Sequence, residues 1–143
     1  ENSNWLAFGE DSAPVVYAFI DPKCPFCRRL MRNLRYPYLD EGQVQLRMIP
    51  MGFQRDSLAQ AAMLLAADNG RQLWWRFLEG EVEALDPPQG MSTIGVERNL
   101  KVFRNWDFEI TPTLFFRDAS GKIKLVEGLP DDLGQMVASL SDG

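Results

Sequence analysis

The chain has 143 residues, 45% hydrophobic and 24% charged, enough to form one domain that buries a core without staples. A net charge of −5 argues against general nucleic-acid binding. No apolar run is long enough to span a bilayer, so the chain is expected to be soluble. With no histidine, an imidazole base, a proton shuttle and a His-based metal site are all excluded. No leader peptide is visible at Glu1, which leaves three origins open: a cytosolic chain, a mature exported form, or a trimmed piece of something longer.

In chain order, Trp5 to Phe8 reads as a short first strand and Gly9 to Pro14 as a loop. Val15 to Ile20 has no polar interruption and predicts a central strand buried on both faces. Asp21-Pro22 ends it. After two cysteines, Arg28 to Arg35 predicts an amphipathic helix, with Cys27, Leu30, Met31 and Leu34 on one side and Arg28, Arg32 and Arg35 on another. Tyr36-Pro37 ends or kinks this helix. Val44, Leu46 and Met48 alternate with Gln45 and Arg47, the pattern of a half-buried strand that Pro50 stops.

Asp56 or Ser57 is expected to cap a second helix, Leu58 to Asp68, closed by Asn69-Gly70. Arg71 to Gly80 predicts a third helix with Leu73, Trp74, Phe77 and Leu78 inward. Leu85 to Gly90 reads as a loop, and Ser92 or Thr93 as the cap of a fourth helix running to about Trp106. Phe108 to Phe116 predicts a strand interrupted at Thr111-Pro112. A turn at 118–121 joins it to Lys122–Glu127 as an antiparallel hairpin. Pro130, at a first helical position, opens a last helix to Leu140. The resulting order (β, β, α, β, a helical block, β, β, α) predicts an α/β fold with one sheet, a C-terminal hairpin and helices on its faces.

Charge is unevenly distributed. Five of the fifteen basic residues (Lys23, Arg28, Arg29, Arg32, Arg35) fall between Pro22 and Tyr36, where there is no acidic residue. The rest of the chain carries ten basic against twenty acidic residues.

The only two cysteines, Cys24 and Cys27, stand where a strand hands over to a helix. With Cys24 at the N-cap, Pro25 falls at the first helical position, where its missing N–H costs nothing. The N–H groups of Phe26 and Cys27 then lack helical partners and point at the Cys24 sulfur. They favour a thiolate, as do the helix dipole and the basic cluster, so Cys24 is expected to titrate below the free value of about 8.5. Cys27 lies one turn on, within disulfide reach and toward the apolar side. These positions suggest Cys24 as the exposed nucleophile and Cys27 as the buried thiol that resolves a mixed disulfide. Half of a zinc site is a poor alternative, since no third cysteine or histidine exists to complete it. A purely structural disulfide is another, but one closing so small a loop gains little chain entropy.

Phe19 to Cys27 (FIDPKCPFC), with Ile110-Thr111-Pro112-Thr113 some 85 residues later, resembles the thioredoxin superfamily. Within it, the likeness is to the catalytic domain of the periplasmic disulfide isomerases, the DsbC/DsbG group and its DsbG branch in particular. Asp21-Pro22 before the first cysteine, the run at 42–47 and Gly128-Leu129-Pro130-Asp131 support this.

The resemblance implies a thioredoxin fold over residues 1–143, with a helical insertion at about 57–106 between the ββα-type first half and the C-terminal ββα half. Cys24 and Cys27 would be catalytic. Pro25, Phe26, Thr111 and Pro112 would bind substrate, with Pro112 as a cis-proline facing the pair and Thr111 offering its backbone. The protein would be exported to the periplasm, need no cofactor or metal, act on misoxidised or sulfenylated cysteines of other exported proteins, and be kept reduced by a membrane thiol reductase of the DsbD type. A DsbA-like oxidase and a chaperone-like module with a vestigial pair are the alternatives. Threonine before the proline favours the DsbC/DsbG group, since DsbA-type oxidases typically have valine there.

The chain departs from the pattern in several places. Nothing corresponds to the group's N-terminal dimerisation domain, so this chain is expected to be monomeric. Pro25-Phe26 replaces a Pro-Tyr pair. Ala18 stands where other thioredoxins carry a buried acid, and Asp21 is either a nearer influence on proton transfer or a turn residue. The basic helix face is either merely solvated or shapes substrate choice and Cys24 acidity.

Overall fold

In a computed structural model that describes residues 4–140, the chain forms β1 (Leu6–Phe8), β2 (Val15–Ile20), α1 (Pro25–Leu34), β3 (Gln45–Pro50), α2 (Arg55–Ala66), α3 (Gly70–Leu78), α4 (Ile94–Asn105), β4 (Thr113–Arg117), β5 (Ile123–Glu127) and α5 (Leu133–Ala138). The strands make one sheet in the order β1-β3-β2-β4-β5. β2 runs parallel to β3 and antiparallel to β4, while β1 and β5 pair antiparallel at the two edges. The strand that delivers the cysteines is therefore the middle one, held on both sides.

The period of two along the strands sorts the core into two faces. Val16, Ala18 and Ile20 of β2 share one cluster with Leu46, Met48, Leu114 and Phe116, and this cluster takes in Cys27, Leu30, Met31 and Leu34 of α1, Leu73 and Trp74 of α3, and Met136 and Val137 of α5. Phe19 points the other way, into a smaller cluster with Met51, Phe103 of α4 and Phe108. The first cysteine-bearing turn is thus anchored by the largest apolar cluster in the chain, since α1 buries its whole apolar stripe there.

Several expectations are corrected. β2 is not buried on both faces throughout: Val15 and Tyr17 are half-buried, and Tyr17 stacks on Phe115 with ring centroids 4.9 Å apart. Gln45 is not on a solvent face. It is 2% exposed, because its amide donates to Glu10 O at 3.1 Å and its oxygen accepts from Arg47 at 2.8 Å. Its strand also continues to Pro50 instead of stopping before it.

α2 begins earlier than expected, with Gln54 as N-cap and Ser57 inside the first turn, where the Ser57 hydroxyl accepts from the Gln54 N–H at 3.2 Å. Asn69-Gly70 does not close α2; it opens α3. Of the residues expected inward on α3, Phe77 is only half-buried. A short helical turn at Val82–Leu85 precedes the loop. Residues 108–112 are not a strand, and β4 starts at Thr113. α5 is capped by Asp132, whose carboxylate accepts from the Gln135 N–H at 3.0 Å, so Pro130 lies before the helix and not at its first position. The α1 helix gives way to a further turn, Arg35–Leu39, which is broken at Tyr36.

Candidate active site

β2 ends at Ile20, and Asp21 turns the chain toward α1. Its backbone carbonyl accepts from the Cys24 N–H at 2.9 Å. One carboxylate oxygen accepts from the Lys23 N–H at 2.9 Å, the other from the Phe53 N–H at 3.2 Å. Asp21 is only 5% exposed, so these contacts satisfy a buried carboxylate and tie the cysteine turn to the loop after β3. Asp21 thus serves the turn, and its backbone also acts on the Cys27 thiol in the sense that lowers it. Ala18 is fully buried in the apolar cluster that contains Cys27, so no carboxylate occupies that place.

Cys24 is the N-cap of α1, in extended conformation at φ −80° and ψ 119°. Pro25 opens the helix, and the Cys27 N–H donates to the Cys24 sulfur at 3.4 Å. That sulfur also lies 3.3 Å from the Thr111 carbonyl oxygen, to which its thiol donates. Both cysteines are unbridged; Cys24 is half-buried and Cys27 has no exposure.

The thiol of Cys24 is lowered to about 5. A hydrogen bond from the Cys27 thiol is the leading cause. Burial works against it, and a hydrogen bond from the Thr111 hydroxyl and the N–H groups of Cys27 and Phe26 add to it. Burial pushes the Cys27 thiol far up, and the neighbouring Cys24 sulfur adds to the effect. The two thiols are thus driven apart in acidity by their surroundings, one poised as a nucleophile and the other kept protonated.

The basic cluster does not rank among the leading causes of that acidity. Lys23 pairs with Asp56 at 2.5 Å. Arg28 donates to Pro22 O at 2.8 Å and Arg32 to Leu78 O at 3.0 Å. Arg35 pairs with Glu79 at 2.9 Å and lies 4.4 Å over the Trp75 ring. The nearby hydrogen bonds to the sulfur dominate, as short-range contacts do over screened charges.

The structure brings Thr111, the residue before Pro112, to Cys24 across 87 positions of chain. The Thr111–Pro112 peptide is cis, as is Tyr36–Pro37. Thr111 and Pro112 are buried, whereas Pro25 and Phe26 are exposed, Phe26 by 55%. Two features escaped the sequence reading. One is the side chain of Thr111, which lowers the Cys24 thiol beside the backbone contact. The other is Ile110, the residue before Thr111, which is 47% exposed and so leaves an apolar side chain near the site. Its carbonyl accepts from the Thr113 hydroxyl, which fixes the turn.

A family model described as a thioredoxin-like domain matches residues 6–141. The chain is 33% identical over 137 residues to the thiol:disulfide interchange protein DsbG of Escherichia coli, covering 92% of this chain and 55% of that protein. It is 34% identical over 145 residues to the DsbG of Pseudomonas aeruginosa, with 96% and 56% covered. The chain thus spans about half the length of these curated relatives. Among solved structures, a disulfide interchange protein from Neisseria gonorrhoeae superposes with a TM-score of 0.71 at 19% identity, covering 96% of each chain. A periplasmic thioredoxin-like protein from Salmonella enterica does so with the same score at 17% identity, covering 96% of this chain and 89% of that one. At those identities the likeness is one of fold.

Proposed function

The chain belongs to the thioredoxin-like domain family and has its fold, and on that footing we propose that it is a protein thiol–disulfide oxidoreductase working through Cys24 and Cys27. The observation that carries the proposal is the Cys24 sulfur capping α1, where it accepts the Cys27 N–H at 3.4 Å, is lowered to about 5 and is backed by a thiol with no exposure. At neutral pH Cys24 is a thiolate. It attacks one sulfur of a substrate disulfide; a Cys24–substrate bond forms and the other substrate sulfur leaves as thiolate. Cys27 gives up its proton as it attacks Cys24, a Cys24–Cys27 disulfide forms, and the substrate leaves with both sulfurs reduced. If a substrate thiol attacks first, the substrate is isomerised and the pair stays reduced. On a sulfenylated cysteine, the same attack releases water and enters the same mixed disulfide.

Pro25, Phe26, Thr111 and Pro112 form the substrate edge in this reading, and residues 57–106 are an insertion into the thioredoxin core. Both sulfurs and Thr111 come from one chain, so the chemistry is complete in a monomer. Cysteine-containing exported proteins as substrates, the periplasm as the setting, and a membrane thiol reductase of the DsbD type as electron donor are supported by the likeness to the two DsbG proteins. No described helix is long and apolar enough to cross a membrane.

An oxidising role has support of its own. Stabilising the thiolate favours the dithiol form, which makes the disulfide a stronger oxidant. Trapping separates the possibilities. Cys27→Ser should accumulate mixed disulfides on Cys24, and the unaltered protein should reduce insulin. No disulfide-linked partner would sink the proposal. Trapped partners with a strongly oxidising potential and no insulin reduction would move it to a DsbA-like oxidase. Full biological activity in Cys24→Ser would point to a chaperone-like module.

A further inference from the structure

Beside the cysteine turn lies an open groove of about 540 Å³, lined by Lys23, Arg28 and Arg32 on one wall and by Phe77, Leu78 and Val82 on the other. It begins at Lys23, the residue before the nucleophile, and follows α1 to the end of α3. No carboxylate lines it. Lys23 is offset by Asp56, but among the described residues neither Arg28 nor Arg32 takes part in an ion pair. Each guanidinium is instead held by a backbone carbonyl, Pro22 O for Arg28 and Leu78 O for Arg32. A carbonyl fixes the position of the guanidinium but leaves its charge uncompensated, and it leaves further N–H donors free in the planar fork. The acidic residues at the far end are already engaged: Glu79 with Arg35 and Glu81 with Arg76. Val82, 64% exposed, and Phe77 add an apolar wall. The remainder of the chain is strongly acidic, so this groove is a local inversion of the protein's field.

Resting on the thiol–disulfide reading above, we infer that the groove selects substrates by binding an acidic segment close in sequence to the reacting cysteine. Arg28 and Arg32 take its carboxylates and Phe77 and Val82 its apolar side chains. A groove of one charge sign raises both encounter rate and register for a partner of the opposite sign. Lys23, which lines the groove, is one residue from Cys24, so an extended chain bonded to that sulfur has a short path into it.

The test uses two disulfide-linked peptide dimers, identical except that glutamates flank the cysteine in one and lysines in the other. Each is reduced by the dithiol form of the protein, and the released peptide thiol is followed. The expected result is reduction of the glutamate peptide about tenfold faster at low ionic strength, with the advantage shrinking as salt rises. Arg28→Gln with Arg32→Gln should bring the two rates within about twofold of each other, while Arg28→Lys, which keeps the charge, should retain the preference. The rate and pH profile of Cys24 alkylation by neutral iodoacetamide should stay unchanged in all these variants, since the thiolate is set by other contacts. Equal rates for the two peptides in the unaltered protein would overturn the inference and leave the redox proposal standing, as would a preference that survives the double substitution. Reduction of neither peptide would overturn both.

Discussion

The sulfur of Cys24 and the carbonyl oxygen of Thr111 lie 3.3 Å apart, though 87 residues of chain separate them. Thr111 acts on this sulfur in two opposed senses. Its carbonyl accepts the thiol proton and so favours the protonated form, while its side chain works toward the thiolate. The hydroxyl is the part a substitution can remove. Thr111→Val keeps the shape and the carbonyl but loses the donor. We expect the midpoint of Cys24 to rise by about one pH unit, the equivalent of one hydrogen bond, as followed by thiolate absorbance. An unchanged midpoint would mean that the hydroxyl does not reach the sulfur.

The titration of the unaltered protein should be visible directly. With Cys24 lowered to about 5, iodoacetamide alkylation should be half-maximal near that pH and level well below neutrality. Stability of the reduced form carries the same signature. Cys24 is depressed from its unfolded value of about 8.5, so its contribution is fully present above that value and fades as pH falls toward 5. Cys27 is raised, so its contribution is intact below about 8.5 and declines above it. The stability advantage of the reduced over the oxidised protein should therefore climb from about pH 5 to about 8.5 and turn down beyond. Denaturant melts of the two forms across that range would show it, and a flat difference would contradict the assigned acidities.

Asp21→Ala should loosen the cysteine turn. It removes the acceptor for two backbone N–H groups, Lys23 and Phe53, in a place only 5% exposed. Leaving such donors without partners costs about 2–4 kcal/mol in all. Asp21→Asn keeps one acceptor oxygen and should cost roughly half as much. Urea denaturation of both variants tests the order; equal losses would mean that the charge, and not the geometry, matters.

Gly70→Ala places two effects in competition. Alanine is the better helix former by about 1 kcal/mol. A Cβ at Gly70 would, however, meet the carbonyl oxygen of Leu64 at 2.3 Å, a backbone atom that cannot swing aside. The clash forces α2 and α3 apart, and overpacking of this kind costs about 1–3 kcal/mol. We expect net destabilisation in a thermal melt, with cysteine reactivity preserved because an added Cβ meets Leu64 and Leu6 and no atom of the cysteine turn.

The parts of the fold that were readable from the sequence are those set by local chemistry. β2 could be located to the residue because Val15–Ile20 is unbroken and Asp21-Pro22 stops it. The Cys24 cap followed from Pro25, which tolerates the first helical position and little else nearby. What was missed depended on distant partners. Gln45 looks polar and outward in an alternating strand, yet the Glu10 carbonyl buries it. Asn69-Gly70 has the composition of a helix end, but the tight approach to Leu64 makes it a helix beginning. The basic run could be read as an influence on Cys24 because charge is visible in a sequence; the carbonyls that hold Arg28 and Arg32 are not. The influence of the Thr111 side chain was missed for the same reason, since only the folded chain brings Thr111 to the sulfur.

Cys27 has no surface of its own. No molecule in solution can meet its sulfur, so the dithiol has a single port. Every electron pair that enters or leaves must cross the Cys24 sulfur, one partner at a time. A group joined to Cys24 through a disulfide therefore closes the port only until Cys27, intact underneath, expels it, whereas one joined through carbon closes it for good.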